Sequence, residues 1–169
     1  MFDRRQDPAL LLARIDVDGM DELRAALSGG RGAILLAGHS GNGALLVVYL
    51  VAAGIAVSVV HKESRMMDAR FFRTGMALYG IDGILANEGI KAYSRMVGSL
   101  RAGRVVYVMA DQGAKRAADG VMLRFLGKTM PMPAGPAQLA QHAKAPVLPV
   151  TTVSAYPRWR FVIEHPVQL

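Results

Sequence analysis

The residues best suited to chemistry begin with His39, in Gly38-His39-Ser40-Gly41-Asn42-Gly43, between the apolar run 33–37 and another that starts at Ala44. Small residues after a strand let the backbone turn sharply into a helix. An imidazole in such a turn can accept a proton from a bound hydroxyl. The N–H groups that follow it, around Gly41 and Asn42, can hold an anionic oxygen at the start of the helix. The same letters also fit a core histidine satisfied by a backbone carbonyl. Ser40 is a candidate nucleophile, but its surroundings are not the Gly-x-Ser-x-Gly elbow.

Two carboxylates have a similar setting. Glu63 closely follows the apolar run 55–60, and Asp111 follows the run 105–110. If these runs are parallel strands, His39, Glu63 and Asp111 stand at equivalent strand ends, where ligand sites of open α/β sheets lie. Asp111 also fits a turn or helix cap. Arg124 and Lys128 flank an apolar, hairpin-like stretch. They suit contact with phosphate or an acidic partner, or simply a solvated face. The four histidines (39, 61, 142 and 165) lack metal-site spacing and there is no Cys, so no metal site is expected.

The elements that must position these groups are legible from hydropathy. Residues 15–17, 33–37, 55–60, 83–86, 105–110, 121–125, 146–153 and 159–163 suggest strands. Residues 20–27, with Asp18 as the cap, and 43–53, 64–78, 88–100 and 136–143 suggest helices. In the helix 88–100, Ile90, Tyr93, Met96, Val97 and Leu100 form the apolar stripe. Alternation of strand and helix predicts an α/β fold: a mostly parallel central sheet flanked by helices. The uncharged window 43–60 is long enough for a membrane span, but it divides more naturally into a buried helix and a buried strand.

The chain has 169 residues, 52% of them apolar and a formal charge of +7. That length suits one domain, residues 1–169. The basic balance favours an acidic partner: an anionic membrane face or an acidic carrier protein. Nucleic acid is disfavoured, because basic residues are scattered and stacking aromatics are few. The charged N-terminus lacks a signal-peptide core.

Taken in series, these landmarks resemble the lysophospholipid acyltransferase superfamily, and within it the bacterial lipid A late (lauroyl/myristoyl) acyltransferases. The resemblance rests on 32–38 leading into His39-Ser-Gly-Asn-Gly-Ala44, on Val105-Val-Tyr-Val-Met-Ala-Asp-Gln112, on Phe125-Leu-Gly127, on Pro133-Ala-Gly-Pro-Ala-Gln-Leu-Ala140 and on Ala145-Pro-Val-Leu-Pro149. It implies a glycerolipid-acyltransferase-like core. It implies His39 as general base for a lipid hydroxyl, and a fatty acyl thioester as co-substrate, on acyl carrier protein or coenzyme A, with no other cofactor. It places the protein peripherally at the cytoplasmic face of the inner membrane, or in the cytoplasm. The family's His-x4-acid box has a Glu or Asp where this chain has Ala44. Glu63 is the first substitute candidate, as the carboxylate on the adjacent strand, and Asp111 the second. The family's N-terminal anchor and C-terminal helical segment are expected to be absent. The alternative is a non-catalytic relative that binds acyl chains or lipid. Further rivals are a membrane-surface structural protein and a serine hydrolase acting through Ser40.

Overall fold

The structure, a computed structural model, describes residues 8–62, 74–114, 120–155 and 157–168. In chain order the elements are α1 (Pro8–Leu12), β1 (Ile15–Asp18), α2 (Met20–Ser28), β2 (Ala33–Ala37), α3 (Gly43–Ala52), β3 (Val57–His61), β4 (Asp82–Leu85), α4 (Ile90–Arg101), β5 (Val105–Met109), β6 (Val121–Phe125), β7 (Lys128–Met132), α5 (Gly135–Ala143), β8 (Val147–Ala155) and β9 (Arg158–Ile163). Most of the expected helix 64–78 lies outside the described residues; 74–77 are helical.

Seven strands form one sheet in the order β1-β9-β8-β2-β5-β3-β4, and β6 and β7 pair by themselves. Every pair in the large sheet is parallel except β8 with β9. The fold is therefore the α/β arrangement expected. Strand alternation divides the core into two layers. Ala33, Leu35 and Ala37 of β2 face α2 and α3, with Val105 and Tyr107 of β5 beside them. Ile34 and Val106 face the other way, against Leu100 of α4 and Leu139 of α5. The uncharged window 43–60 resolves into α3 and β3, and among the described residues no helix is long and apolar enough to cross a membrane.

The order of strands corrects one expectation. β3 follows β2 in the chain but does not lie beside it, because β5 is inserted between them. The crossover through α3 carries the chain past one strand position. The chain leaves β2 towards β3 on one side, and later leaves β5 to reach β8 on the other. This is a topological switch point, where a crevice opens past the strand ends.

Two local expectations also fail. Asp18 does not cap α2. It ends β1, its carboxylate held by Arg160 of β9, and Gly19 precedes the helix at φ 80° without a side-chain cap. That glycine is needed because a Cβ would lie 2.0 Å from the Ile163 carbonyl oxygen. Ile90 is not on the buried stripe: it is 82% exposed at the first position of α4, directly after the break at Gly89.

The amino ends of the strands carry a polar clamp. Arg104 donates to the Ser58 hydroxyl (3.0 Å) and the Val57 carbonyl (2.8 Å). Ser58 also bonds Asp82, and Arg95 donates to the same carboxylate. Fully buried, Ser58 needs these partners. The clamp leaves the carboxyl ends free for the site.

Candidate active site

β2 and β5 pair in parallel with Ala37 opposite Met109, and the Ala110 N–H continues the ladder to the Ala37 carbonyl. Two residues beyond that register, His39 stands opposite Asp111. Parallel neighbours lie about 4.8 Å apart, so the two side chains meet without any further device. The Asp111 carboxylate accepts from the His39 backbone N–H (2.7 Å) and pairs with ring Nδ1 (2.5 Å). Both side chains are a little under half exposed, 46% and 44%. The ring is thus reachable from solvent rather than sealed in the core.

Burial pushes the Asp111 carboxyl up, but the hydrogen bonds from the His39 backbone and ring outweigh it, and the net result lies below the ordinary value of 3.8. An ionised carboxylate only accepts hydrogen bonds. Nδ1 must therefore donate, which assigns the ring proton to Nδ1 and leaves the Nε2 lone pair open whenever the imidazole is neutral.

The glycines of the turn are explained by what surrounds them. A Cβ at Gly38 would stand 3.3 Å from an Asp111 oxygen. One at Gly41 would stand 2.4 Å from Thr152 of β8, and Gly41 also has φ +68°. One at Gly43 would stand 2.3 Å from the Tyr107 hydroxyl. The turn therefore packs directly on two neighbouring strands, β5 with the residues just past its end and β8. Asn42 leads into α3, exposed and without a side-chain cap bond, and its carbonyl accepts from the Leu45 N–H. The first N–H groups of α3 have no partner within the helix, as at any helix start.

Tyr107 was legible only as part of a strand. It lies two residues before Met109 on the α3 side of β5, with its hydroxyl beneath the helix start. Burial first, and then the charge of Asp111, pushes its hydroxyl up to about 12. It stays protonated. The signal available in the sequence was spacing: Tyr107 and Asp111 are four apart and share one face of an extended strand. Thr152 gave no comparable signal.

Of the candidate residues, the structure brings together His39 and Asp111, with Gly41 and Asn42 in the same turn. Glu63 lies outside the described residues, and its strand is separated from β2 by β5. Ala44 sits exposed in the first turn of α3. Arg124 and Lys128 lie on the β6–β7 hairpin, whose base is tied to the segment after Asp111 by the Ala114 N–H and the Pro131 carbonyl (2.9 Å). A cleft of about 260 Å³ between α4 and α5, lined by Tyr93, Arg101 and His142 among others, includes neither member of the pair.

The family model for bacterial lipid A biosynthesis acyltransferases matches residues 5–168. The chain belongs to this family. Curated relatives include a phosphatidylinositol mannoside acyltransferase of Mycobacterium tuberculosis (strain CDC 1551 / Oshkosh), 33% identical over 136 residues, covering 79% of this chain and 42% of the relative. Another of the same name, from Mycolicibacterium smegmatis (strain ATCC 700084 / mc(2)155), is 32% identical over 147 residues, covering 85% of this chain and 47% of the relative. The chain thus spans less than half the length of these relatives.

Proposed function

We propose that this chain carries the proton-abstracting centre of an acyltransferase, with His39 as general base and Asp111 as the carboxylate that orients it. The single observation behind this is the His39–Asp111 pair at the carboxyl ends of two adjacent strands. Asp111 fixes Nδ1 as a donor, and Nε2 is then the atom that meets an acceptor hydroxyl.

In the reaction proposed, Nε2 takes the proton of the acceptor hydroxyl as its oxygen attacks the carbonyl of a fatty acyl thioester. A tetrahedral oxyanion forms. N–H groups at the start of α3 are the donors proposed for it. Collapse breaks the C–S bond, and the imidazolium returns its proton to the departing thiolate. The products are an ester and a free thiol; direct attack by the acceptor requires no acyl-enzyme. The donor is an acyl chain on acyl carrier protein or coenzyme A. The acceptor is a sugar hydroxyl of a membrane glycolipid, the class to which the relatives' names point.

Asp111 then does the work that the box acid does in the resembled proteins, approaching from β5 rather than from within α3. The test is transfer of a radiolabelled acyl chain from acyl carrier protein or coenzyme A to a mannosylated phosphoinositide acceptor by wild type and His39→Ala. Transfer that is lost in the variant, while its thermal unfolding is unchanged, supports the assignment. Equal transfer by both would overturn it.

A further inference from the structure

We infer that the β6–β7 hairpin is an insertion element for anionic lipid surfaces, a role that takes its purpose from the transferase reading above. Val121, Met122, Leu123, Phe125 and Leu126 are all large, apolar and exposed, so one two-stranded element carries five exposed apolar side chains. Register sharpens the pattern. Val121 opposite Met132, Leu123 opposite Met130 and Phe125 opposite Lys128 make one face, apolar except at the tip. Arg124 opposite Thr129 and Met122 opposite Pro131 make the other.

The tip carries the second observation. Leu126 has φ 47° and Gly127 φ 78°, the positive pair of a type I′ hairpin turn. That first position favours Asn, Asp or Gly, and a bulky side chain there is strained. Leu126 is nonetheless 87% exposed. Neither backbone preference nor packing within the described chain accounts for a leucine in that place. An apolar medium outside the molecule does.

Charge selects the medium. Residues 120–132 contain Arg124 and Lys128 and no acidic residue, in a chain of net charge +7. Two cations just behind a Phe-Leu tip form the interfacial pattern: apolar side chains below the headgroups, cationic ends among the phosphates. A protein groove would accept the apolar face but gives no reason for cations on both strands at the tip. Because Ala114 bonds Pro131 at the hairpin base, insertion would hold the segment after Asp111 close to the lipid surface.

The experiment is vesicle flotation, with phosphatidylcholine alone and with phosphatidylcholine plus phosphatidylglycerol. Wild type is expected to float with the anionic vesicles. Leu126→Asn places a preferred residue in the turn, so its melting temperature should hold or rise while its partitioning falls about tenfold or more. Arg124→Gln with Lys128→Gln should fall by a similar factor on anionic vesicles only. His39→Ala should float like wild type, which separates this inference from the transferase reading. Unchanged flotation of Leu126→Asn overturns the inference. So does a loss of self-association in that variant with vesicle binding intact, which would assign the hairpin to a second copy of the chain.

Discussion

Asp111→Asn is the most revealing perturbation, because it removes a charge and reverses one hydrogen bond while leaving shape nearly unchanged. Asp111 accepts twice from His39, at the backbone N–H and at Nδ1. An amide offers one acceptor and one donor group. If its oxygen keeps the backbone N–H, its NH2 faces Nδ1, which must then accept. The ring proton moves to Nε2, the atom needed as base. If the amide flips, two N–H groups confront each other, which is the less favourable arrangement. Replacing the orienting carboxylate of a serine-protease triad by Asn lowers kcat about 10⁴-fold. Here both side chains are nearly half exposed, so water screens the charge contribution; the tautomer contribution is not screened. The expected loss is about 10²- to 10⁴-fold in kcat, equivalent to roughly 3–5 kcal/mol of barrier. KM should stay within about threefold, since the interaction acts on the transition state rather than on uniform binding. The assay is thiol release from acyl-coenzyme A or acyl carrier protein in the presence of the glycolipid acceptor. An Asn variant that keeps more than about a third of wild-type kcat would refute the reasoning.

Ala44→Glu should change transfer by less than about threefold, because Nδ1 is already occupied by Asp111; a large gain would mean that Asp111 fills the role poorly. Gly43→Ala should destabilise the fold by about 1–3 kcal/mol through overpacking on the Tyr107 hydroxyl. Tyr107→Phe should recover much of that loss in the double variant, as chemical denaturation of all three would show. Acid stability gives a further check. The folded Asp111 carboxyl lies below its ordinary value of 3.8, so the stability it adds is complete above that value and disappears as pH falls through the lower folded value. Urea melts at stepped pH should therefore show a shallower acid limb for Asp111→Asn, and identical limbs would count against the His39–Asp111 bond.

What the sequence disclosed, and what it withheld, follows from the range of each interaction. The strand at 33–37, the turn at His39 and the helix behind it are local, set by an apolar run, three glycines and renewed hydropathy. Of the hairpin at 121–132 only the first strand, 121–125, was legible; β7, Lys128–Met132, has Pro131 within it and gave no strand signal. Strand neighbours are not local. Ranking Glu63 above Asp111 assumed that consecutive strands sit side by side, and β5 takes that place instead. The register Ala37 with Met109 is what joins His39 to Asp111, and pairing between residues so far apart in the chain leaves no periodic trace. The reasons for Gly41 and Gly43 were hidden likewise, since Thr152 and Tyr107 reach them from other strands. Asp18 misled because its type favours a cap, while Arg160 across the sheet holds it in β1.

The central claim, an Nε2 kept free by a carboxylate on Nδ1, is tested most directly by nitrogen-15 NMR of histidine-labelled protein, with His39→Gln to assign the resonance. The account predicts that the neutral form of the ring carries its proton at Nδ1 in the wild type and at Nε2 in Asp111→Asn. A wild-type ring protonated at Nε2, or one unmoved by the substitution, would contradict it.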